Sequence, residues 1–248
     1  MTATTRLALT LVAAVLLTMP VFAVAARCRP RDADVARRPT TVLLGFWVRD
    51  WVMWLIGPLE RALVRSGVSP DVFNYLGAAM GLAAGLAYAR GATAAAGWLV
   101  LLGGLADILD GRIARARGIA SARGEFLDSM LDRFAETFAF AGLALFFGPR
   151  PWAAAATGLA LGASMLVSYA RAKGDAVGVA CRGGVMQRAE RLVLLAVASF
   201  ADAPATAAAG WREGTVLAAA VTLIAVGALG TAAYRTVFVA RALRARDG

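Results

Sequence analysis

Two pairs of aspartates stand at the ends of two apolar stretches in the middle of the chain. Asp107 and Asp110 close the first stretch, and Asp128 and Asp132 open the second. A carboxylate in the centre of a membrane helix costs about 3 kcal/mol on insertion scales. Acidic residues placed beside such apolar stretches therefore indicate a chemical use.

The spacing within each pair predicts a shared helix face. Asp107 and Asp110 are three residues apart, and Asp128 and Asp132 are four apart. Residues at these spacings are neighbours on an α-helix, with Cβ atoms roughly 5–6 Å apart. Residues 117–124 hold two glycines, a serine and two arginines, which predicts a break and a turn. The resulting hairpin would bring all four carboxylates together.

Four converging carboxylates need a compensating charge. Two like charges 4 Å apart repel each other by about 4 kcal/mol at an effective dielectric constant of 20. Carboxylate oxygens suit hard cations such as Mg²⁺, Mn²⁺ and Ca²⁺. The spacing therefore predicts a divalent-cation site, and the alternative is that the aspartates only cap a turn between two charged helix ends.

The elements that must position these residues belong to a membrane protein. Hydrophobic residues make up 60% of the chain, which is typical of a polytopic membrane protein rather than a soluble core. The net charge of +10 indicates loops that face anionic lipid, not a nucleic-acid partner. The two cysteines lie far apart and predict neither a zinc site nor a disulfide. Because the chain has no histidine, acid–base chemistry must fall to carboxylates, Lys or Tyr.

Two segments precede the main apolar spans. Residues 1–39 contain an apolar run followed by arginines, which is interpreted as a retained anchor, with a cleaved signal peptide as the alternative. Residues 40–68 mix tryptophans with charges and predict an amphipathic helix in the membrane interface, with a soluble linker as the alternative.

Residues 69–236 form the predicted transmembrane domain, and residues 237–248 a basic cytoplasmic tail. The predicted spans are roughly 71–89, 93–112, 125–147, 152–172, 190–209 and 214–234. Gly77, Gly81 and Gly85 in the first span allow close helix contact. The predicted fold is thus all-α, with a six-helix transmembrane core behind an interfacial helix and an extra apolar segment.

Arginines concentrate in every second loop. The regions around 112–123, 171–191 and 235–246 are rich in them, whereas the opposite loops hold only Arg90, Arg150 and Arg212. The positive-inside rule places the aspartates and the 171–191 loop on the cytoplasmic side of the cell membrane.

A second candidate site lies in that loop. Residues 168–173 read Ser-Tyr-Ala-Arg-Ala-Lys, and residues 187–191 read Gln-Arg-Ala-Glu-Arg. One interpretation is that these arginines only follow the positive-inside rule and bind no substrate. The other is a pocket for an anionic acceptor, because arginine binds phosphate oxygens with two parallel hydrogen bonds.

The aspartate region resembles the signature of the CDP-alcohol phosphotransferases. All eight motif positions match at the family's spacing: Asp107, Asp110, Gly111, Ala114, Arg115, Gly124, Asp128 and Asp132. The resemblance covers about residues 55–236. It implies a six-helix membrane enzyme, commonly a homodimer, that transfers a substituted phosphate from a CDP-linked lipid to an alcohol and releases CMP.

The resemblance also implies roles for these residues. All motif positions except Asp132 would bind the CDP group, with Gly111 and Gly124 allowing close approach of the nucleotide and Arg115 pairing with the diphosphate. The four aspartates would hold two divalent cations, Mg²⁺ or Mn²⁺. Asp132 would in addition be the catalytic base that accepts the proton of the acceptor hydroxyl.

Within the family, the second region resembles the phosphatidylinositol-phosphate synthases and their archaeal counterparts. Ser168, Arg171 and Arg191 would then line the acceptor-phosphate site, with Arg235 as a further contributor. Gln187 replaces a usual glutamate, and Arg171 and Lys173 exchange the usual order of arginine and lysine.

The favoured function is therefore phospholipid synthesis from CDP-diacylglycerol and a phosphorylated polyol such as inositol phosphate. The same-class alternative is a synthase for glycerol phosphate or another alcohol. A cation transporter that uses the four aspartates is the different-class alternative, and a structural scaffold would leave the aspartates unexplained.

Overall fold

The chain is helical throughout the part that the structure describes. The structure is a computed structural model, and it describes residues 3–28, 32, 35 and 45–247. The continuous stretches of these residues form nine helices and no strand. They are α1 (Ala3–Leu16), α2 (Thr18–Ala25), α3 (Phe46–Ser66), α4 (Pro70–Ala89), α5 (Thr93–Ala116), α6 (Ala122–Phe146), α7 (Pro151–Ala176), α8 (Arg188–Ala209) and α9 (Thr215–Asp247). The predicted all-α fold is confirmed.

Five described helices, α4, α5, α7, α8 and α9, are long and apolar enough to cross a membrane. The chain is therefore a multi-pass membrane protein. Helix α6 occupies the predicted span 125–147, but the charged residues of its first half keep its hydropathy below that of the other five. The six helices α4–α9 coincide with the six predicted spans, and the number of crossings stays a prediction.

Local sequence signals explain several of the helix ends. Helix α3 ends at Ser66 and is followed by Gly67, whose φ of 74° is readily adopted by glycine, and Pro70 is the first residue of α4. The predicted break between the aspartate pairs is confirmed, because α5 ends at Ala116 and α6 begins at Ala122. The Ser121 hydroxyl caps α6 by accepting a hydrogen bond from the Gly124 N–H at 3.2 Å.

Helices α4–α9 form a closed ring. Helix α4 packs against α5, α5 against α8, α8 against α9, α9 against α7, α7 against α6, and α6 against α4. Tyr88 on α4 and Ser199 on α8 bond across this ring, with 2.6 Å between their hydroxyl oxygens. Helices α6 and α8 are likewise not neighbours, so side chains that join them must cross the interior of the ring.

Small residues hold α6 directly against α4, as the spacing of the first span predicts. A Cβ atom added to Gly85 would overlap the Phe138 carbonyl oxygen, and one added to Gly142 would overlap the backbone of Gly85. Gly81 faces the backbone of Ala135 in the same way. Helix α6, which carries Asp128 and Asp132, is therefore placed by backbone contact.

This contact predicts that Gly142→Ala destabilises the protein by about 1–3 kcal/mol, the usual cost of overpacking. Gly162→Ala is the matched control, because nothing lies within 4 Å of the added Cβ atom on α7. Thermal unfolding of the two variants in detergent measures the difference. Equal melting temperatures for both variants would contradict the close packing of α4 and α6.

The N-terminal apolar segment packs against α3. Phe22 is buried, and its ring lies 5.4 Å from that of Trp47 and 5.7 Å from that of Trp54. The indole N–H of Trp51 donates to the Thr18 hydroxyl at 2.9 Å. These contacts favour a retained segment, and its retention in the mature protein stays a prediction.

The predicted segment boundaries are matched only in part by helices. Helix α3 covers residues 46–66 of the predicted segment 40–68, and residues 40–44 of that segment lie outside the described residues, as does most of 29–39. Helix α9 continues without a break to Asp247, so the predicted tail 237–248 begins as its extension.

Candidate metal centre and active site

Three of the four predicted metal ligands meet at the α5–α6 hairpin. Asp107 and Asp110 lie in the second half of α5, and Asp128 lies two turns into α6. One carboxylate oxygen from each lies within 4.8 Å of the other two. The predicted convergence of carboxylates from the two helices is thus present in the structure for these three residues.

The environment of these carboxylates fits a hard divalent cation. Asp110 is only 4% exposed, and one of its oxygens accepts a hydrogen bond from the Gly111 N–H. The Oδ1 atom of Asp128 is buried and has no hydrogen-bond partner. A buried carboxylate oxygen without a partner is costly, and a cation with oxygen ligands would relieve both this cost and the mutual repulsion. The three residues therefore suit Mg²⁺ or Mn²⁺.

Asp132 lies one turn beyond Asp128 and is held by an arginine. Its Oδ1 atom lies 2.6 Å from the Nη2 atom of Arg188, whose Nη1 atom lies 2.6 Å from the Oδ2 atom of Asp107. A weaker contact of 3.7 Å joins Asp132 to Arg133. Arg188 thus connects the predicted base on α6 with a predicted metal ligand on α5.

Sequence reasoning placed Arg188 in a basic block without giving it a role. The available signal was its position three residues before Arg191 at the start of α8, where both side chains share one helix face. Glu136 follows Asp132 by one turn on α6, so the acidic face of α6 meets the two arginines of α8 across the ring.

The predicted CDP-binding residues continue from the aspartates towards the turn. A Cβ atom at Gly111 would lie 3.0 Å from the Nη1 atom of Arg115, so the bare backbone and this guanidinium share one face of α5. Ala114 is half-buried beside them, and Gly124 lies in the first turn of α6. This arrangement leaves backbone and positive charge near the carboxylates, and nucleotide binding by these residues stays a prediction.

The predicted acceptor residues divide into two kinds. Arg235 is buried and donates to the carbonyl oxygens of Gly183 at 2.9 Å and Val167 at 2.8 Å. Ser168 is half-buried next to Val167, whereas Arg171 is exposed on the last turns of α7. Arg235 therefore ties α9 to the segment that carries Ser168, and contact of these residues with an acceptor stays a prediction.

Arg191 is the most deeply buried of the predicted acceptor residues. Its side chain is 1% exposed and lies 2.6 and 3.1 Å, through Nη2 and Nε, from the Oε1 atom of Glu136, which is 2% exposed. The pair joins α8 to α6 across the ring interior. Its Nε and Nη2 atoms are thus paired with Glu136, and contact of Arg191 with an acceptor stays a prediction.

We expect Arg191→Met to destabilise the protein by about 3–5 kcal/mol, because it leaves the buried Glu136 without a partner. Replacing both residues, as Arg191→Met with Glu136→Leu, should restore most of the loss, since a well-packed apolar pair can substitute for a buried ion pair. Thermal unfolding in detergent checks both variants. Unchanged stability of Arg191→Met would contradict the structural role of the pair, and a raised KM for the acceptor would support a contact between Arg191 and the acceptor.

A second arginine near the aspartates holds the N-terminal part of the chain. Arg112, two residues after Asp110, lies 2.7 Å from Glu60 on α3 and 3.0 Å from Asp32. The backbone N–H of Asp32 in turn donates to the Oδ1 atom of Asp50 on α3 at 2.9 Å. Sequence reasoning counted Arg112 among the loop arginines, and it missed this network because the partners are distant in the chain.

Comparison with known proteins gives consistent matches. Residues 68–237 match the family model described as CDP-alcohol phosphatidyltransferase. A phosphatidylinositol phosphate synthase from Streptomyces avermitilis is 35% identical over 205 residues, which covers 80% of this chain and 83% of that protein. An archaetidylinositol phosphate synthase from Methanothermobacter thermautotrophicus is 33% identical over 138 residues, covering 55% of this chain and 69% of that protein.

Solved structures show the same similarity. The crystal structure of Mycobacterium tuberculosis phosphatidylinositol phosphate synthase with CDP-DAG bound superposes with a TM-score of 0.64 at 29% identity, covering 73% of this chain and 92% of that chain. The structure of the same enzyme in complex with manganese and citrate gives a TM-score of 0.65 at 30% identity, covering 73% and 87%.

Proposed function

The chain belongs to the CDP-alcohol phosphatidyltransferase family, and from this premise we propose that it transfers a phosphatidyl group from CDP-diacylglycerol to inositol phosphate and releases CMP. The observation that carries the proposal is the meeting of Asp107, Asp110 and Asp128 at the α5–α6 hairpin. The relatives named as phosphatidylinositol phosphate synthases support the donor and the acceptor.

The aspartate cluster and the manganese in the M. tuberculosis relative support a divalent-cation requirement. A cation held by Asp107, Asp110 and Asp128 would neutralise the diphosphate and make the phosphorus more susceptible to attack. We propose Mg²⁺ or Mn²⁺ as the ion, and two ions in the working complex, with Asp132 as a ligand of the second.

The chain's own residues would orient the donor at this site. Because Gly111 and Gly124 have no side chains, the diphosphate could approach their backbone closely, and the Arg115 guanidinium could turn its paired N–H groups to the diphosphate oxygens. The side chain of Arg115 lies along the face of α5 that carries Gly111. This arrangement would hold the CDP group between the two helices while the acyl chains stay in the bilayer.

In the transfer itself, the acceptor hydroxyl oxygen would bond to the phosphatidyl phosphorus as the bond from that phosphorus to the CMP oxygen breaks. The hydroxyl proton would pass to the carboxylate of Asp132, which acts as general base. Asp132 is 15% exposed and lies one turn from Asp128, so it can serve a substrate bound beside the cation.

The acceptor phosphate would bind beside this centre on the α7 and α8 side. Ser168, Arg171, Arg191 and Arg235 are the proposed contacts. The exposed Arg171 can present its guanidinium to a phosphate directly, whereas Arg235 holds the Val167 carbonyl beside Ser168.

We also propose that the active site faces the cytoplasm from the cell membrane. The three arginine-rich segments lie at one end of the bundle: Arg246 of α9 donates to the carbonyls of Val177 and Gly178 after α7, and Arg188 reaches the α5–α6 hairpin. Clustering of basic residues at one end agrees with the positive-inside rule. Assembly as a homodimer is proposed by resemblance to the family.

An acceptor assay tests the proposal. Purified full-length protein with CDP-diacylglycerol and Mg²⁺ should release CMP when inositol phosphate is added, and mass spectrometry should detect the phosphorylated phosphatidylinositol. Glycerol phosphate, inositol and serine serve as comparison acceptors. Release with glycerol phosphate alone would reassign the acceptor, and absence of CMP release with all four would contradict the proposed reaction.

A further inference from the structure

The side chain of Arg188 lies between α5 and α6, the two helices that carry the aspartates. Arg188 is the first residue of α8, and its side chain is 22% exposed. Its Nη1 atom lies 2.6 Å from Asp107 on α5, and its Nη2 atom lies 2.6 Å from Asp132 on α6. One guanidinium thus bridges two carboxylates that come from different helices.

The guanidinium is oriented by these two carboxylates. Its remaining nitrogen, Nε, is buried and has no hydrogen-bond partner. Arg191, one turn later, instead uses its donors on Glu136 and the Met186 carbonyl. Arg188 is therefore held by charge pairing with the aspartates, and a cation in its place would meet the same two carboxylate oxygens.

We infer that Arg188 stands where a second divalent cation would bind between Asp107 and Asp132, so that the protein without nucleotide holds one cation rather than two. The inference deepens the proposed function and rests on it. Oδ1 of Asp132 and Oδ2 of Asp107 are both occupied by the arginine. Asp110 and Asp128, the other two members of the three-carboxylate group, form no ion pair with Arg188 and can hold the first cation together with Asp107.

The contact between Arg188 and Asp132 also links donor binding to the ability of Asp132 to act as a base. A guanidinium forms paired hydrogen bonds with phosphate oxygens, in the same way as with carboxylate oxygens. The diphosphate of an incoming donor gives the Arg188 guanidinium new partners. When Arg188 turns to the diphosphate, the Oδ1 atom of Asp132 is exposed. Arg188 is therefore a positioning residue. Until the donor binds, it occupies the carboxylate oxygens that the second cation would bind, and it keeps Asp132 from accepting a proton.

Counting bound Mn²⁺ tests this inference without any turnover. The full-length protein in detergent, free of nucleotide, is titrated with Mn²⁺ while electron paramagnetic resonance reports the unbound ion. We expect one ion per chain for the wild type and two for Arg188→Gln. Arg182→Gln is the matched control, because it removes an exposed arginine from the preceding loop and should leave the count at one.

A second variant guards against misfolding of Arg188→Gln. Arg188→Lys keeps the charge but offers a single ammonium in place of the two-pronged group. Its second ion should bind more tightly than in the wild type and more weakly than in Arg188→Gln.

Two bound ions in the nucleotide-free wild type, or an unchanged count of one in both Arg188 variants, would overturn the inference. If the wild type still releases CMP in the acceptor assay, the proposed function survives that result. Absence of any Mn²⁺ binding in the wild type would overturn the inference and the proposed metal site together.

Discussion

Asp132→Asn is expected to lower the rate of CMP release by about 10²- to 10⁴-fold, the usual contribution of a general base. An amide cannot accept the proton of the acceptor hydroxyl, although it fills the same space. The three carboxylates of Asp107, Asp110 and Asp128 are unchanged, so a cytidine nucleotide should still bind. Steady-state CMP release and equilibrium binding of CDP measure the two effects separately.

Glu125→Gln is the matched control for this variant. Glu125 lies on the same helix, in its first turn, and is exposed to solvent. The control should keep turnover close to that of the wild type. Turnover of Asp132→Asn at the wild-type rate would refute the assignment of Asp132 as the base.

Asp128→Asn is expected to weaken Mn²⁺ binding by more than about 100-fold, since even residues behind a metal ligand change affinity by 10- to 100-fold. Asp128 contributes the α6 side of the three-carboxylate group, and its buried Oδ1 atom has no hydrogen-bond partner in the protein. CMP release should fall with the loss of the cation. Mn²⁺ titration of the purified variant measures the change in affinity.

Glu125→Gln again supplies the comparison, because it removes one negative charge from α6 without touching the cluster. If Asp128→Asn bound Mn²⁺ as tightly as the wild type, the three-carboxylate group could not be the metal centre.

The aspartate centre was predictable because its geometry is mostly local. Spacings of three and four residues place each pair on one helix face, and glycines with a serine mark the turn between the helices. Only the approach of the two helices had to be assumed. The 4.8 Å grouping of Asp107, Asp110 and Asp128 agrees with that assumption.

The arginine contacts were not predictable from local pattern. Arg188 and Asp107 are far apart in sequence, and they meet because α5 packs against α8 in the ring. Arg191 likewise pairs with the buried Glu136 on the opposite helix, 55 residues earlier in the chain. A single sequence does not show which arginine of a basic loop forms an ion pair with a buried carboxylate on another helix.

The extent of the membrane core was predictable from apolar length, with one instructive exception. Helix α6 forms where the third span was expected, yet it is not among the five helices that are apolar enough to cross a membrane by composition. The charged residues that lower its hydropathy include Asp128 and Asp132. The helix that carries the chemistry is thus the one whose membrane character is hardest to recognise.

The most direct test of the metal centre is anomalous X-ray diffraction at the manganese edge from crystals grown with Mn²⁺ and CDP-diacylglycerol. We predict a peak about 2.0–2.6 Å from carboxylate oxygens of Asp107, Asp110 and Asp128, the range of hard-cation–oxygen distances, with the lipid diphosphate beside it. A map with no peak among these three carboxylates, or with the nucleotide bound elsewhere, would contradict the account.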